Sequence, residues 1–283
     1  MANLLDIRRR IRSVRNTQQI TRAMKTVSAA KLRRAQERVF AARPYAAALR
    51  TVLANLARRI EGLEHPLLEV RPETKVLVTV ITGDRGLCGA FNTNVMRLTT
   101  AFIRERPDQE IQLMAVGRKG RDFFRRQGHT FLEEHVNLFS ALNLGHARAI
   151  GKRIIDAYST AGFDAVYLAY NEFKSVIQQR LVIEPILPMN PGTLGEEASQ
   201  VDYIYEQPPQ EIFNRLLPQY VEIQVHRALL ESVAAEHGAR MAAMDTASRN
   251  AGEMIDMLTL NMNRVRQAAI TREIIEVVSG ASS

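Results

Sequence analysis

The sequence lacks several features that would place it in a common class of proteins. Its one cysteine, Cys88, excludes an internal disulfide and fits a reducing compartment. No apolar run approaches the roughly 20 residues that span a bilayer, and the first 20 residues contain no uninterrupted apolar signal segment. The six histidines show no recurrent metal-binding spacing. We therefore expect no metal site, and no cofactor is indicated.

Acidic residues are almost absent from the first 60 positions. This segment holds 15 Lys or Arg against only Asp6 and Glu37, a net charge of +13, whereas the rest of the chain carries −5. A basic arm on a mildly acidic body favours an acidic partner, which could be nucleic acid, an anionic membrane surface or acidic protein loops.

Glycine is absent before Gly62, and residues 4–60 are predicted to form one long helix. Pro44 lies inside this helix and predicts a kink or a local break. An apolar track advances in steps of three and four residues, as in the seam of a coiled coil. Its members are Leu32, Ala35, Val39, Ala42, Ala46, Leu49, Leu53, Leu56 and Ile60. An earlier track through Ile7, Ile11 and Val14 becomes polar at Thr17, Gln18 and Thr21.

A second long helix is predicted at the other end of the chain. Pro208 and Pro209 suit its start, Pro218 is the only proline further along, and Gly280 is a plausible stop. It also carries a seam in steps of three and four residues. The members are Met241, Met244, Ser248, Ala251, Ile255, Leu258, Met262, Val265 and Ala269.

The predicted helices are too long for a compact globule. At about 1.5 Å per residue they would measure roughly 85 and 100 Å. A globule of this chain length has a diameter of only about 50 Å. Because both helices are terminal and carry a seam, they are expected to pair as an antiparallel coiled coil.

The middle of the chain alternates strands and helices, which predicts an α/β domain with a mainly parallel sheet. The strands are predicted at 75–82, 111–117, 164–173 and 177–187, and the helices at 90–105, 118–127 and 145–161. The last two strands could form an antiparallel hairpin. Residues 188–202 are predicted to be an acidic loop.

The stretch TGDRGLCGAFN at 82–92 raises the question of nucleotide binding. Its glycines follow a strand and precede a helix, as in phosphate-binding loops. No Lys-Ser or Lys-Thr pair follows the last glycine, and Asp84 stands directly after the first one, so neither standard nucleotide motif is present. The pattern favours a tight turn in which Asp84 and Arg85 are paired or capping. A nucleotide-dependent enzyme is kept as an alternative.

A basic coiled-coil protein that binds nucleic acid is a further alternative. In zipper proteins the basic block and the seam are separate in sequence, whereas arginines such as Arg38 and Arg43 are interleaved with this seam. No set of residues typical of a catalytic site is found. The residues alone therefore point to no catalytic site.

Four segments together resemble the gamma subunits of F-type ATP synthases, in order and over essentially the whole chain. They are IRSVRNTQQITRAMKTVSAAKLRRAQ (11–36), RPYA (43–46), TGDRGLCGAFN (82–92) and RQAAITREIIEVVSGA (266–281). The resemblance implies an antiparallel coiled coil of N- and C-terminal helices, residues 1–60 and 208–283. It also implies a Rossmann-like α/β foot domain at 74–190.

The resemblance implies a central rotor shaft without catalytic activity of its own. Its partners would be three alpha and three beta subunits, the epsilon subunit and the membrane ring of c subunits, without nucleic acid. Proton-driven rotation of the ring would turn the shaft, and ATP would be made on the beta subunits. The loop at 82–92 would then shape the foot without binding nucleotide.

The resemblance also suggests contact residues, position by position. Those implied to contact the alpha and beta subunits are Met24, Lys25, Arg240, Arg266, Gln267 and Thr271. Those implied to lie near the membrane ring and epsilon are Tyr203, Tyr205 and Glu206. The family-like sequence begins almost at Met1, which leaves no room for a transit peptide. We therefore expect a bacterial protein held by its partners at the cytoplasmic side of the inner membrane.

Overall fold

The computed structural model describes residues 4–60, 64–175, 178–189 and 205–281. The helices are α1 (Leu4–Arg59), α2 (Phe91–Arg104), α3 (Arg118–Arg126), α4 (Leu144–Ser159) and α5 (Pro209–Ala281). The strands are β1 (Lys75–Ile81), β2 (Glu110–Val116), β3 (Phe131–His135), β4 (Ala165–Phe173) and β5 (Gln179–Leu187). The described part of the chain therefore has the predicted combination of two long terminal helices and an α/β domain.

The five described strands form one sheet in the order β3-β2-β1-β4-β5. The first four are parallel, and β5 pairs antiparallel with β4. Both the mainly parallel sheet and the closing hairpin were predicted, and both are confirmed. The order places β1 beside both β2 and β4, so the chain crosses back over the sheet from β3 to β4, and the strand order reverses between β1 and β4.

The central strands are covered on both faces. Every residue of β1 after Lys75 is buried, and this explains why the strand reads as a continuous run of β-branched and apolar residues. One face packs Val78 and Val80 against Val95 of α2 and Phe124 of α3. Successive side chains of a strand point to opposite faces, so Leu77 and Ile81 occupy the other face, where they too are fully buried.

The chain divides into two compact units, Met1–Ala29 with Arg240–Ser283 and Ala30–Ala239. In the first unit the start of α1 and the end of α5 run antiparallel. Its α1 residues with buried or half-buried side chains are Leu4, Ile7, Ile11, Val14, Gln18, Thr21, Met24, Ser28 and Ala29. All nine predicted seam residues of α5 are likewise buried or half-buried. In the second unit α1 continues the pattern from Leu32 to Leu56.

Three local features were not predicted as the structure has them. Helix α1 is continuous through Pro44, so of the predicted kink or local break the break is absent, and the proline lies on the exposed face. Proline costs one backbone hydrogen bond, and the buried seam on both sides of it holds the helix together. Helix α5 passes through Gly280 to Ala281, and strand β3 was not predicted. The predicted loop at 188–202 lies largely outside the described residues.

None of the helices in the described ranges is both long and apolar enough to cross a membrane. Within the same ranges no group of three His, Cys, Asp or Glu side chains is arranged to hold a metal ion.

Candidate functional site

The coiled coil of the first unit contains a buried polar layer. The hydroxyls of Thr21 and Ser248 lie 2.7 Å apart, and each also lies within hydrogen-bond distance of a carbonyl of its own helix, that of Gln18 at 3.0 Å and that of Met244 at 2.8 Å. The Gln18 amide donates to the Ser248 carbonyl at 3.2 Å. A polar pair in an apolar seam is unfavourable unless it is matched, so this layer fixes the register of the two helices.

Lys25 lies one helical turn further along α1. Its Nζ donates to Asp245 Oδ1 at 2.6 Å, and Arg249 approaches the other carboxylate oxygen at 3.3 Å. The hydrogen bond from Lys25, followed by the positive charges of Lys25 and Arg249, lowers the pKa of Asp245 below its usual range. A lysine ammonium has three donors, so this pair still leaves donors of Lys25 available to an acidic partner.

The pH dependence of this pair has a definite sign. Because the folded state lowers the pKa of Asp245, the pair stabilises the fold above the unfolded value of about 3.9. That stabilisation is lost as the pH falls through the lower folded pKa. We expect Lys25→Met to melt at a lower temperature than wild type at pH 7. The difference between the two should shrink as the pH falls below about 3.9, because the carboxylate of Asp245 is then progressively protonated.

Thermal melting of both proteins at pH 7, 5 and 3 measures this effect. Arg22→Met, which removes an exposed cation from the same helix, is the control and should change little at any of the three values. A Lys25→Met difference as large at pH 3 as at pH 7 would mean that packing, not the ion pair, is responsible.

Met24 and Arg240 are half-buried in the same unit. Met24 directly precedes the cation at Lys25, and Arg240 begins the stretch of α5 that contains the polar layer. The structure therefore places three of the predicted stator-contact residues on the coiled coil, close in sequence to this layer.

The other three predicted stator-contact residues lie near the end of α5. Antiparallel pairing in the register set by Thr21 and Ser248 brings Leu4 opposite Arg266 or its neighbours. The turns of α5 beyond this point therefore extend past the first described residue of α1. Arg266, Gln267 and Thr271 are exposed there.

The end of α5 also exposes large apolar side chains, which is unusual for a helix in water. They are Ile270, Ile274, Ile275, Val277 and Val278, with exposed fractions from 47% to 71%. Basic and amide groups beside such a patch are suited to a protein partner that supplies both apolar and acidic surface.

The glycine loop at 82–92 is occupied by hydrogen bonds from within the chain. Asp84 Oδ1 accepts the N–H of Arg118 at 3.1 Å and that of Asn137 at 2.8 Å. Thr82 Oγ1 accepts the N–H of Gly120 at 2.9 Å, so two of the first amides of α3 are already paired. The Gly83 amide donates to Asn92 Oδ1 at 2.8 Å.

Phosphate-binding loops offer free amides of this kind at a helix N-terminus. Here the Gly83 amide is accepted by Asn92 of the chain itself, and Thr82 and Asp84 accept amides outside the loop, which indicates that the loop serves to fix α3 beside the sheet. Asp84 therefore caps a helix, which was one of the two roles predicted for it, although the helix is α3 and not the adjacent α2.

The predicted contact residues near the membrane ring are only partly described. Tyr205 is half-buried, with the Arg59 guanidinium 5.4 Å from its ring centroid. Glu206 is exposed, and Tyr203 lies outside the described residues. The structure therefore associates Tyr205 with the end of α1.

Comparisons with known proteins decide the family. A family model described as ATP synthase matches residues 3–283. The ATP synthase gamma chain of Solibacter usitatus is 54% identical over 287 residues, covering 100% of this chain and 99% of the relative. The chain belongs to the family of ATP synthase gamma chains. The gamma chain of Pelotomaculum thermopropionicum is 49% identical over 283 residues, with the same coverage of both chains.

Solved structures agree with this assignment to the gamma chains. A chain from the central stalk and c-ring of the Tetrahymena thermophila mitochondrial ATP synthase has a TM-score of 0.64 at 28% identity, covering 81% of this chain and 99% of that one. A chain of the Euglena gracilis mitochondrial ATP synthase in rotational state 3 has a TM-score of 0.68 at 20% identity, covering 99% and 93%. The latter likeness supports the fold alone.

The family assignment settles the alternatives left open by the sequence. A gamma chain is a non-catalytic subunit of ATP synthase, so the nucleotide-dependent enzyme is not supported. The basic coiled-coil protein that binds nucleic acid is not supported either, because the matches to gamma chains extend over the full length. The basic arm therefore belongs to the coiled coil of a gamma chain.

Proposed function

We propose that this chain is the central rotor shaft of a bacterial F-type ATP synthase. It turns inside a ring of three alpha and three beta subunits, and its foot joins epsilon and the membrane ring of c subunits. The observation that carries this proposal is that the whole chain matches gamma chains. In addition, α5 extends beyond the start of α1, as a shaft requires. The proposed parts are the coil helices at 1–60 and 208–283 and the foot at 74–190.

Rotation drives catalysis only if the shaft contacts the three beta subunits unequally. A ligand or partner shifts a conformational equilibrium only through a difference in interaction free energy between the states. A shaft of two helices that continues as one helix has no threefold symmetry, so at any angle the three beta subunits meet different surfaces. Proton flow through the membrane ring supplies the rotation, and ATP is made on the beta subunits.

The six stator-contact residues have roles suited to contacts that form and break with angle. Lys25 and Met24 would meet acidic lever loops of the beta subunits, helped by the +13 net charge of the N-terminal 60 residues. Arg240, Arg266, Gln267 and Thr271 would engage catch loops of the stator ring through charge-assisted and amide hydrogen bonds. Such bonds are directional and exchangeable with water.

The foot residues Tyr203, Tyr205 and Glu206 would face epsilon and the membrane ring. The chain would be a peripheral protein on the cytoplasmic side of the bacterial inner membrane and would be held there by these partners. The bacterial origin of the related gamma chains supports this placement.

Reconstitution tests the proposed function. The purified chain is mixed with alpha and beta subunits of the same source, and the complex is isolated before ATP hydrolysis is assayed. We expect a stable complex whose hydrolysis is well above that of the mixture lacking this chain. A chain that fails to assemble but binds duplex DNA or nucleotide by itself would overturn the proposal.

A further inference from the structure

One stretch of α5 in the second unit is buried on all sides. The residues from Ala228 to Glu236 have almost no exposed surface, as is typical of a helix enclosed by other elements. Most of them are apolar, but two are glutamates, Glu231 and Glu236. Carboxylates are rarely buried without partners, so their contacts need an explanation.

Glu231 joins three elements through its two carboxylate oxygens. Its Oε1 accepts from Arg43 Nη2 of α1 at 3.0 Å, and its Oε2 accepts the N–H of Phe173 at the end of β4 at 3.1 Å. The Glu231 side chain is 4% exposed and that of Arg43 is 44% exposed. The carboxylate therefore lies in the interior with both oxygens satisfied, and its counter-ion reaches in from the surface.

The neighbouring carboxylate approaches the carboxyl end of β1. A Cβ added to Gly83 would lie 2.7 Å from Glu236 Oε1, so a larger residue there would have to displace the Glu236 carboxylate. The carboxyl ends of β1 and β4 flank the point where the strand order reverses, which is where open α/β sheets bind ligands. In this chain that crevice is filled by α5.

Two further polar contacts hold this part of α5 to β5, one within the buried stretch and one from Arg227 just before it. Gln179 Nε2 donates to the Ala235 carbonyl at 2.9 Å, and Arg227 Nη2 donates to Glu184 Oε1 at 2.7 Å. Hydrogen bonds from β4 and β5 therefore hold α5 against the sheet, and Glu231 also binds α1.

We propose that Glu231 is a positioning residue that holds α5 to α1 and to the carboxyl edge of the sheet. The junction is thereby stiff, and torque on the α/β domain reaches the shaft helices with little relative movement of these elements. This inference rests on the proposed rotor function and adds to it the junction through which torque passes. Apolar contacts resist separation but allow sliding, because they have no preferred direction. Hydrogen bonds are directional, and a buried charge-assisted pair is stronger than an exposed one.

The test measures the stiffness of the junction in the assembled complex. The stator ring is immobilised, and a bead is attached to the α/β domain through Asp108→Cys, an exposed site between α2 and β2. The angular variance of the bead is recorded in the absence of ATP, when the shaft is not being driven. Glu231→Gln keeps the size of the side chain and an acceptor for Phe173 but removes the charge that pairs with Arg43.

Glu231→Gln is expected to raise the angular variance about twofold, since one of the directional contacts that share the torque at this edge is weakened. The control is Glu37→Gln, which removes an exposed ion pair with Arg33 within α1 and should match wild type. The melting temperature of each complex is measured in parallel. A purely structural role would lower that temperature and leave the variance at 25 °C unchanged, and this result would overturn the inference.

A second variant decides the matter if Glu231→Gln does not assemble. Arg43→Gln keeps the bond of Glu231 to the sheet and removes its tie to α1, so the variance should again rise, and an unchanged value would overturn the inference. Wild-type complexes that assemble but do not rotate would instead refute the rotor function. Rotation with equal variance in all variants would refute only the role of Glu231.

Discussion

Gly117→Ala is expected to lower the melting temperature of the purified chain by about 10 °C or more, since each kcal/mol corresponds to about 2–4 °C at this size. Gly117 has φ of +96°, and an added Cβ would lie 2.0 Å from the Thr82 carbonyl oxygen. This contact is with backbone, which cannot turn aside as a flexible side chain could. The expected loss is about 4 kcal/mol or more, in the range reserved for severe local clashes.

The surrounding hydrogen bonds prevent an easy adjustment. The Thr82 amide donates to the Val116 carbonyl at 2.8 Å, and the Gly117 amide donates to the His135 carbonyl at 2.7 Å. Moving Gly117 away from Thr82 would break one or both of these bonds between neighbouring strands. It would also disturb the capping of α3 by Asp84.

Gly128→Ala is the matched control. Gly128 also has a positive φ, +82°, but no atom lies within 4 Å of an added Cβ. Only the left-handed conformation is then penalised, by about 1–2 kcal/mol. The difference between the two variants reports the clash with Thr82 together with the stricter backbone conformation of Gly117, whose ψ is 141°. Equal melting temperatures would mean that the sheet and α3 move apart at little cost.

The long elements were predictable because their patterns are repeated many times. A seam with steps of three and four over dozens of residues averages out single exceptions such as Pro44. The central strands β1 and β4 are buried on both faces, so their continuous apolar composition is a strong signal. Size then required the terminal helices to pair, because no compact globule of this length could hold them.

Strand β3 was missed for a physical reason. Its sequence, FLEEH, has neither an apolar run nor an alternation, and all five residues are half-buried. It lies at the edge of the sheet and pairs with β2 alone, with an irregular register near Leu113. Such a strand forms because a neighbouring strand is available to pair with it, and the local sequence gives little indication of this.

The polar contacts between elements could not be predicted from the sequence either. Both seams carry a polar interruption, at Thr21 and at Ser248, and matching these two would have given the register of the coil. Glu231 left a weaker signal, a charged residue within an otherwise apolar stretch of helix. Its partners Arg43 and Phe173 are far away in sequence, so only the folded chain identifies them.

The double variant Arg266→Ala/Gln267→Ala is expected to reduce ATP hydrolysis by the reconstituted complex at least about tenfold, or to prevent assembly. Both side chains are exposed on the turns of α5 that extend past α1, so their loss should leave the fold of the chain intact. A hydrogen bond to a charged group contributes about 1.5–3 kcal/mol. About 1.4 kcal/mol already corresponds to tenfold in rate or affinity.

Arg272→Ala is the control that separates the effect of losing a specific contact from the effect of losing one positive charge at the end of α5. Arg272 is exposed on the same turns but lies roughly 120° or more around the helix from Arg266 and Gln267 at about 3.6 residues per turn. It should leave hydrolysis within about twofold of wild type, as surface substitutions away from contacts usually do. Equal losses in both variants would show that net charge at the end of α5 matters more than the proposed contacts. Full activity and assembly in the double variant would remove Arg266 and Gln267 from the stator contacts and leave the exposed apolar side chains to hold the end of the shaft.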